Sequence, residues 1–537
     1  MATVGYWAEP VLVRDQRTLF SPTLDDMIDE DHEVRLLDET LRVMDWTEWE
    51  SIYKRDRGQP PIHPRTLAGL WLYGMMRKIR TSRFLEYACR HNIDFMWLGE
   101  GLTPDHSTLA EFFSKNKSPL KSLFKEVCRL AMTMGLVRLG TVAFDATRVK
   151  SHNGRHNTLT ASTIEKRLVE LDGQIDQMLA DVTSAETATG ESGGTRLPDA
   201  IAQQQKRREK LTQALKIVRE KDEARGKIGV DSQKNAAQVP MNDPESSVMP
   251  NKEGGYAPNY TPTCLTDATT GFIIDTNVLN VVNETHELLP SVDRVTEQLG
   301  EKPKIVLTDG GNAAGVVLVG LEERSITAYA PAKSAAPAAD SPVRREDLTQ
   351  PVEERHWPEL PLNNSKRLDK SCFVYDAPHD QYFCPMGRVL RKKDSETREG
   401  VLTTRYESLS CVDCPLFALC LQKADKPDAR RQIRRDEHEE VRHRTAERMA
   451  TEEGRKIFNQ RSPIAETPFA YLKGFLGHRQ FLRKGVENCD TEWRWSCLSL
   501  NLKKLIRAVR RIRQDLVQVL AGPPDILEAK TALMPTV

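Results

Sequence analysis

The sequence contains no hydrophobic run long enough to cross a membrane. Its longest wholly apolar stretch, Ala313 to Leu321, has nine residues, whereas a membrane-spanning helix needs about 20. The first residues, MATVGYWAEPVLVRDQ, contain neither a basic segment nor a long apolar stretch, so we expect no signal peptide. These two features argue against a membrane or secreted protein and predict a cytoplasmic one.

The sequence also lacks an excess of charge of either sign. Its 537 residues include 77 Lys and Arg against 77 Asp and Glu. This balance excludes a uniformly basic nucleic-acid-binding protein, although a neutral sum can conceal local patches. One such patch is visible in the sequence, because residues 423–515 contain 23 Lys and Arg against 14 Asp and Glu.

Cysteines are few, and no secretion signal accompanies them. Ten Cys in a chain of this length predict reduced thiols or metal ligands and not a disulfide framework. Cys411 and Cys414 form a CxxC pair, Cys420 follows and Cys384 precedes, a set that could close a tetrahedral Zn²⁺ site. Four thiolates leave no open position, so this zinc would be structural. The alternative is that these thiols are small buried hydrophobic groups.

The length predicts three or four domains at about 150 residues per domain. Residues 1–138 have helical periodicity, with an apolar face between residues 67 and 75. A capping box at Thr108 and Glu111 predicts the start of one of these helices. The pattern is compatible with a helix-turn-helix DNA-binding domain and equally with a helical bundle that only docks on the rest of the chain.

Beyond residue 138, β-rich segments alternate with helical ones and predict an α/β fold. Strands are predicted within 141–151, 264–282 and 304–311. Two insertions interrupt this layer, namely a helical hairpin with heptad spacing and an Ala/Pro/Ser-rich linker followed by the Cys cluster. The predicted segments after the N-terminal domain are the first part of the α/β core at 139–160, the hairpin at 161–227, the second part of the core at 228–330, the linker and Cys-cluster insertion at 331–450, the third part of the core at 451–515 and a tail at 516–537.

Three carboxylates that are far apart in the sequence could share one site. Asp145 and Asp309 each follow a predicted strand, where side chains face the crevice in which α/β folds bind ligands. Glu466 opens a predicted helix, and Lys473 follows on the same face at i+7. Mg²⁺ is typically held by one or two carboxylates, and a pair of ions can promote phosphodiester chemistry. An Asp after a strand is more often a turn or cap residue, so spacing alone leaves that alternative open.

Three sequence blocks, VAFDATRVKS, VLTDGGNA and RSPIAETPFAYLKGFLGHRQFLRKGVENCDTEW, occur in this order and resemble the DDE transposases of bacterial insertion sequences. The likeness covers nearly the whole chain and is closest to the insertion-sequence 1182 family, which is related to the insertion-sequence 4 group. It implies an RNase H-like core in which Asp145, Asp309 and Glu466 are catalytic and bind Mg²⁺ or Mn²⁺. It also implies cleavage of double-stranded DNA at the element ends, strand transfer into target DNA, and a homodimer or larger oligomer on DNA.

The sequence differs in two places from the pattern of the insertion-sequence 4 group. Phe458 and Arg461 stand where the related group has a Tyr and an Arg, so a hydroxyl is missing. A Gly pair follows Asp309 where relatives often carry an aromatic residue. Basic residues near Glu466 are expected to contact DNA phosphates, with a solvated helix face as the alternative for each. They are Arg461, Lys473, Arg479, Arg483 and Lys484.

Three other functions remain open at this point. The first is a catalytically silent, transposase-derived DNA-binding protein such as a repressor, against which the presence of all three acids argues. The second is a zinc module whose α/β layer is only a scaffold, and the third is a general nuclease with an RNase H-like core. The resemblance implies a bacterial cytoplasmic protein that is associated with the nucleoid when it acts.

Overall fold

In a computed structural model the chain forms two compact units. The first comprises residues 1–131, 471–478 and 491–537, and the second comprises residues 132–470 and 479–490. The residues that the structure describes are 23–53, 60–154, 157–189, 199–227, 235–251, 254–333, 336–338, 340–398, 400–411, 413–421 and 429–521.

Helices build the first unit. Helix α3 carries a proline in its first turn, where the missing N–H is not needed, and the His63 side chain caps this helix by accepting from the backbone N–H of Arg65. In α6 the cap is Asp105, which accepts from two backbone N–H groups, so the helix begins before the predicted capping box. Helices α1 to α7 are Glu33–Arg42, Thr47–Glu50, Pro64–Met76, Ser82–His91, Ile93–Leu98, His106–Lys115 and Lys117–Thr133.

Aromatic side chains form the core of the first unit. The rings of Trp71 and Phe113 lie 4.6 Å apart, and Phe113 stacks on Trp495 at 5.6 Å. Trp49 stacks on Phe112 at 5.4 Å. Since Trp495 belongs to the long helix near the C-terminus, residues from both ends of the described chain share this core.

The second unit is built on a mixed sheet of seven strands. The path through the sheet is β2-β6-β1-β8-β9, and β5 and β7 also pair with β6. Strand β6 is antiparallel to β1 and β7, whereas β1, β8 and β9 run parallel. The bounds of β1 to β9 are Thr141–Ala146, Val149–Lys150, Thr158–Leu159, Val239–Pro240, Ser247–Pro250, Tyr256–Asp267, Ile273–Leu279, Ile305–Leu307 and Thr327–Tyr329.

The predicted helical hairpin is present between β3 and β4 and consists of α8 and α9, at Ala161–Thr189 and Asp199–Lys227. Two ion pairs between the helices, Arg208 with Asp172 and Arg219 with Glu165, show that the helices are antiparallel. Apolar residues at the heptad positions of α8 pack against α9 and the adjacent short strands, as the spacing predicts. The buried members of this cluster include Ile164, Leu171, Ile175, Leu211 and Val218.

A second sheet, of five antiparallel strands, lies in the region predicted as linker and Cys cluster. Its strands pair in sequence order. Charged residues interrupt the apolar alternation of these strands, so hydrophobic periodicity does not mark them. The basic run from Arg430 onward predicts a helix, but residues Gln432–Asp436 form the last strand of this sheet. The bounds of β10 to β14 are Val374–Asp376, Gln381–Phe383, Val389–Arg398, Val401–Ser408 and Gln432–Asp436.

The remaining helices surround the strands of the second unit or continue into the first. No helix of the described segments is both long and apolar enough to cross a bilayer. The last helix, α16, begins in the second unit and continues in the first. The bounds of α10 to α16 are Leu288–Leu299, Gly315–Glu323, Phe417–Cys420, Glu439–Ala450, Glu452–Phe458, Arg461–Ala470 and Val486–Ala521.

Replacing a buried residue of the hairpin seam should open the hairpin, and replacing an exposed one should not. Leu171 is 3% exposed, whereas Val169 on the same helix is 73% exposed. We expect Leu171→Ala to lower the opening free energy of the hairpin by about 2–4 kcal/mol through lost burial and a residual cavity. Val169→Ala should change it by less than about 0.5 kcal/mol. Amide hydrogen exchange in α8 and α9 measures both, and equal protection in the two variants would contradict the packing described here.

Candidate active site

Asp145 is the fifth residue of β1 and lies at the carboxyl end of that strand. It pairs with Cys264 of β6, and its side chain is half-buried. One carboxylate oxygen, Oδ1, accepts from the backbone N–H of Ala146 at 2.9 Å. The other, Oδ2, lies 3.6 Å from Nη1 of Arg461. The sequence prediction of a carboxylate at a strand end is confirmed for this residue.

Asp309 follows β8 by two residues and caps a short 3₁₀ turn. Its Oδ1 accepts from the backbone N–H of Asn312 at 3.2 Å and from the side-chain amide of Asn312 at 3.0 Å. A Cβ at Gly311 would lie 3.2 Å from the same oxygen, which is closer than an ordinary contact. The Gly pair after Asp309 therefore leaves room for the carboxylate.

The pairing of β1 with β8 brings the two aspartates to one edge of the sheet. In the parallel register Ala143 lies opposite Leu307, and each aspartate follows its strand residue by two positions. Parallel strands end at the same edge of a sheet. Asp145 and Asp309 are consequently level with each other at the carboxyl ends of neighbouring strands.

Helix α15, which carries Glu466, packs against β1 and β6 of the sheet. Ala465 is 1% exposed and shares one buried cluster with Ala143 and Leu307. Each of these two strand residues precedes one of the aspartates by two positions. Glu466 follows Ala465 directly and is exposed. The three candidate acids are therefore carried by elements that pack against each other.

The start of α15 differs from the sequence prediction. The helix begins at Arg461, so Glu466 lies in its middle and does not open it. The proline in the first turn is Pro463, where its missing N–H is tolerated. Pro468 stands inside the helix, and the chain changes to a π-helical turn at Tyr471–Phe475, as expected where a proline removes a backbone hydrogen bond.

Arg461 points at an acid, in contrast to the exposed basic residues. It is four positions before Ala465, so both lie on the face of α15 that meets the sheet. Its Nη1 is buried and makes no hydrogen bond in the described residues, while Asp145 Oδ2 is 3.6 Å away. The guanidinium group therefore partly balances the charge of Asp145.

Sequence reasoning missed a fourth acid, Glu284, in the loop between β7 and α10. Burial raises the pKa of Glu284 above its usual value, Arg148 lowers it, and the negative charges of Asp309 and Asp145 raise it further. Arg148 Nη2 lies 3.9 Å from Glu284 Oε2. The next residue, Thr285, donates to the carbonyl oxygen of Gly311 at 3.0 Å. Glu284 thus lies within electrostatic reach of both aspartates.

Three of the predicted DNA-contacting residues lie on a segment that is anchored to β2. The backbone N–H of Lys150 donates to the carbonyl of Arg479, and the N–H of Phe481 donates to the carbonyl of Lys150. Farther on, the N–H of Gly485 donates to Asp243. Arg479 and Lys484 are exposed and Arg483 is half-buried. Lys473, by contrast, belongs to the first unit.

The oxygen ligands of this edge suit a hard divalent ion such as Mg²⁺ or Mn²⁺. Asp145 and Asp309 present carboxylates at neighbouring strand ends, and Asp145 already faces a cation, Arg461. In the arrangement seen here, no three His, Cys, Asp or Glu of the described segments are close enough together to hold a metal ion. The chemistry of the ligands fits the ion, although the acids are not drawn together around one point.

The four Cys of the predicted zinc set line one small cavity of about 20 Å³, which is room for about one water molecule. Burial raises the pKa of Cys384, and it raises the pKa of Cys420 to about 12. The other thiols of the set contribute to both shifts, so the four lie near one another. The backbone N–H of Arg388 donates to Cys384 Sγ at 3.3 Å. The other six Cys are buried, as expected for core residues.

Two family models match parts of the chain. Residues 22–115 match a model described as Transposase domain (DUF772), and residues 383–506 match one described as Transposase DDE domain. No curated protein matches the chain. The second match contains Glu466 and the four Cys of the small cavity, whereas Asp145 and Asp309 lie outside it. Together the two matches indicate a DNA transposase and support the DDE class.

A larger residue at position 465 should push α15 away from the strands that carry the aspartates. We expect Ala465→Leu to lower the free energy of unfolding by about 1–3 kcal/mol through overpacking. Adding Leu307→Ala should restore part of the loss, with a coupling of about 0.5–3 kcal/mol. Ser462→Leu, on the exposed side of α15, is the control. A denaturant titration of the wild type, the variants Ala465→Leu and Leu307→Ala, the double variant and the control measures the coupling, and strictly additive effects for Ala465 and Leu307 would contradict their packing in one cluster.

Proposed function

We propose that the protein is a DDE transposase of the insertion-sequence 1182 type, with Asp145, Asp309 and Glu466 as its catalytic acids. One observation carries the proposal. Ala465 packs in one buried cluster with Ala143 and Leu307, and each of these three residues lies within two positions of one of the acids. This packing supports the proposal that the three acids, which are more than 150 positions apart in the sequence, act together at one edge of the sheet.

The sheet supports an RNase H-like core. Within it, β6 is antiparallel to both β7 and β1, and β8 and β9 run parallel to β1. The helical hairpin and the five-stranded sheet enter as insertions between its elements. This arrangement agrees with the resemblance, in which the acids of the core are supplied by β1, by the end of β8 and by a later helix.

The acids would hold Mg²⁺ or Mn²⁺, which, when bound, supplies activation of an attacking hydroxyl and stabilisation of the leaving oxygen. Strand pairing positions Asp145 and Asp309 for this role. Asp309 also accepts two hydrogen bonds from Asn312. Arg461 balances charge beside Asp145. Arg479, Arg483 and Lys484 would contact the phosphates of the scissile strand and set its register.

The proposed reaction has two phosphoryl-transfer steps on double-stranded DNA. In the first, a water oxygen forms a bond to phosphorus at the element end and the bond to the 3′ oxygen breaks, leaving a free 3′-hydroxyl. In the second, that hydroxyl attacks a phosphate of target DNA and displaces the target's own 3′ oxygen. Because both ends of an element must be held together, the active form would be a homodimer or a larger oligomer on DNA.

Removing one of the proposed catalytic acids should abolish cleavage and spare DNA binding. We expect Asp145→Ala to lose strand cleavage of an end-bearing duplex in Mg²⁺, because the transition-state charge is no longer stabilised, while its affinity for the duplex is retained. Asp176→Asn, an exposed acid on α8, is the matched control and should cleave like the wild type. Gel analysis of end-labelled DNA measures cleavage, and undiminished cleavage by Asp145→Ala would overturn the assignment of the acids.

The same assay separates the alternative functions. A wild-type protein that binds the duplex but never cuts it in Mg²⁺ or Mn²⁺ would be a DNA-binding protein or repressor. A protein that cuts but never joins products to a second duplex would be a nuclease. We expect joined products, because a DDE transposase uses one active site for both steps.

We also propose that Cys384, Cys411, Cys414 and Cys420 hold a structural Zn²⁺. All four thiols line a cavity of one-ion size. Burial raises the pKa of Cys384 and Cys420 and so favours their protonated form, and a bound metal would reverse this preference because a coordinating thiol is deprotonated. The ion would tie β11 and β12 to the segment that follows β13.

Loss of two of these ligands should release the metal. We expect the wild-type protein purified without chelators to contain about one Zn²⁺ per chain and the Cys411→Ser/Cys414→Ser variant to contain almost none. Cys128→Ala, which changes a buried thiol of the first unit, should keep its zinc. Atomic emission spectroscopy measures the content. Unchanged zinc in the double variant, or none in the wild type, would contradict the proposal.

A further inference from the structure

A group of cations in the first unit surrounds two stacked aromatic rings. Tyr471 and Phe475 stack with ring centroids 4.8 Å apart and an angle of 21° between the rings. The ammonium nitrogen of Lys78 lies 4.3 Å from the centroid of Phe475. That of Lys503 lies 4.5 Å from the same ring and 5.5 Å from Tyr471. We call Lys78, Tyr471, Phe475, Lys503 and Arg507 the Phe475 patch; Lys504 is the neighbour of Lys503 in α16.

The cations of the Phe475 patch repel one another. Burial lowers the pKa of Lys503, and the positive charges of Arg507, Arg77 and Lys78 lower it further, against one opposing acid, Glu33. Burial and Arg507 lower the pKa of Lys504 to about 8. Glu33 is itself 3.4 Å from Arg77. The aromatic rings hold the ammonium groups without neutralising them, so positive charge remains concentrated here.

Lys78 occupies a backbone position that favours glycine. It follows α3 with a φ of 67°, in the left-handed region that costs a residue with a side chain. The N–H of Ile79 donates to the carbonyl of Gly74 and that of Lys78 to the carbonyl of Met75. This is a Schellman motif, in which the left-handed residue is usually Gly. A glycine at position 78 would therefore adopt this backbone conformation without the strain that the lysine carries.

We propose that the Phe475 patch binds the phosphate backbone of duplex DNA, an inference that rests on the proposed function for the nature of the partner. The positive charges beside the two rings are complementary to the negative charges of successive DNA phosphates. Phosphate contacts supply affinity and register and carry no base information, which agrees with a patch made of ammonium and guanidinium groups. Bound phosphates would also relieve the repulsion among the cations.

The patch differs from a merely solvated helix face in its construction. Lys78 comes from the end of α3, Lys503 from α16 and Phe475 from the π-helical turn. Three separate elements therefore bring cations and rings together. Phe475 is still 36% exposed, so the rings remain open to a ligand.

Salt dependence of binding tests the proposal directly. The logarithm of the affinity for duplex DNA falls with the logarithm of salt concentration, with a slope of about −0.9 for each phosphate contact. We expect Lys503→Ala and Lys78→Gly each to weaken binding several-fold and to make the slope less steep by about 0.9. The control Lys121→Ala, an exposed lysine of α7, should leave both quantities unchanged. Fluorescence anisotropy with a duplex of about 30 base pairs, between about 50 and 200 mM salt, measures them.

Lys78→Gly also separates binding from folding. Glycine suits the left-handed position, so the variant should unfold at the same temperature as the wild type or a higher one, while its DNA affinity falls. A lower unfolding temperature together with weaker binding would assign Lys78 a structural role and overturn its part in the patch. If the wild type binds DNA and the lysine variants keep its salt slope, this inference fails and the proposed function stands. A wild-type protein that binds no DNA defeats the proposed function itself.

Discussion

The packing of α15 against the seven-stranded sheet is the contact on which the candidate site depends. Ala465 is small enough to be buried with Ala143 and Leu307, and a larger side chain would separate helix and sheet. Since the acids stand one or two positions from these residues, their positions follow from packing and strand register. The burial of these apolar side chains therefore holds the acids in position, although carboxylates by themselves would repel each other.

The electrostatics of this edge follow from the same constraint. Burial raises the pKa of Glu284, and the negative charges of Asp309 and Asp145 raise it further. Two arginines offset this charge, Arg148 beside Glu284 and Arg461 beside Asp145. Such an arrangement is costly for a fold alone, because like charges and buried cations destabilise it. It is the arrangement expected where a divalent cation and a phosphate are to be bound.

The sequence predicted the parts of this site that depend on local pattern. Both aspartates were predicted at strand ends, because an apolar β-rich run that stops at an acid is visible in one dimension, and the structure agrees. The pattern predicts too late a start for the Glu466 helix, because Pro468 is compatible with a first helical turn, whereas the proline of the first turn is Pro463. Glu284 could not be predicted, because its nearness to the aspartates depends on how the loop after β7 folds back on Gly311. The five-stranded sheet was missed because its strands are rich in charge.

The net charge of zero does not show that positive and negative side chains are separated in the structure. Cations gather around Phe475 in the first unit, and acids gather at the sheet edge of the second. The most direct test of the account is a crystal of the protein soaked in Mn²⁺ and measured for anomalous scattering. The account predicts a manganese peak bounded by the carboxylates of Asp145, Asp309 and Glu466. A peak elsewhere, with no density at this edge, would contradict it.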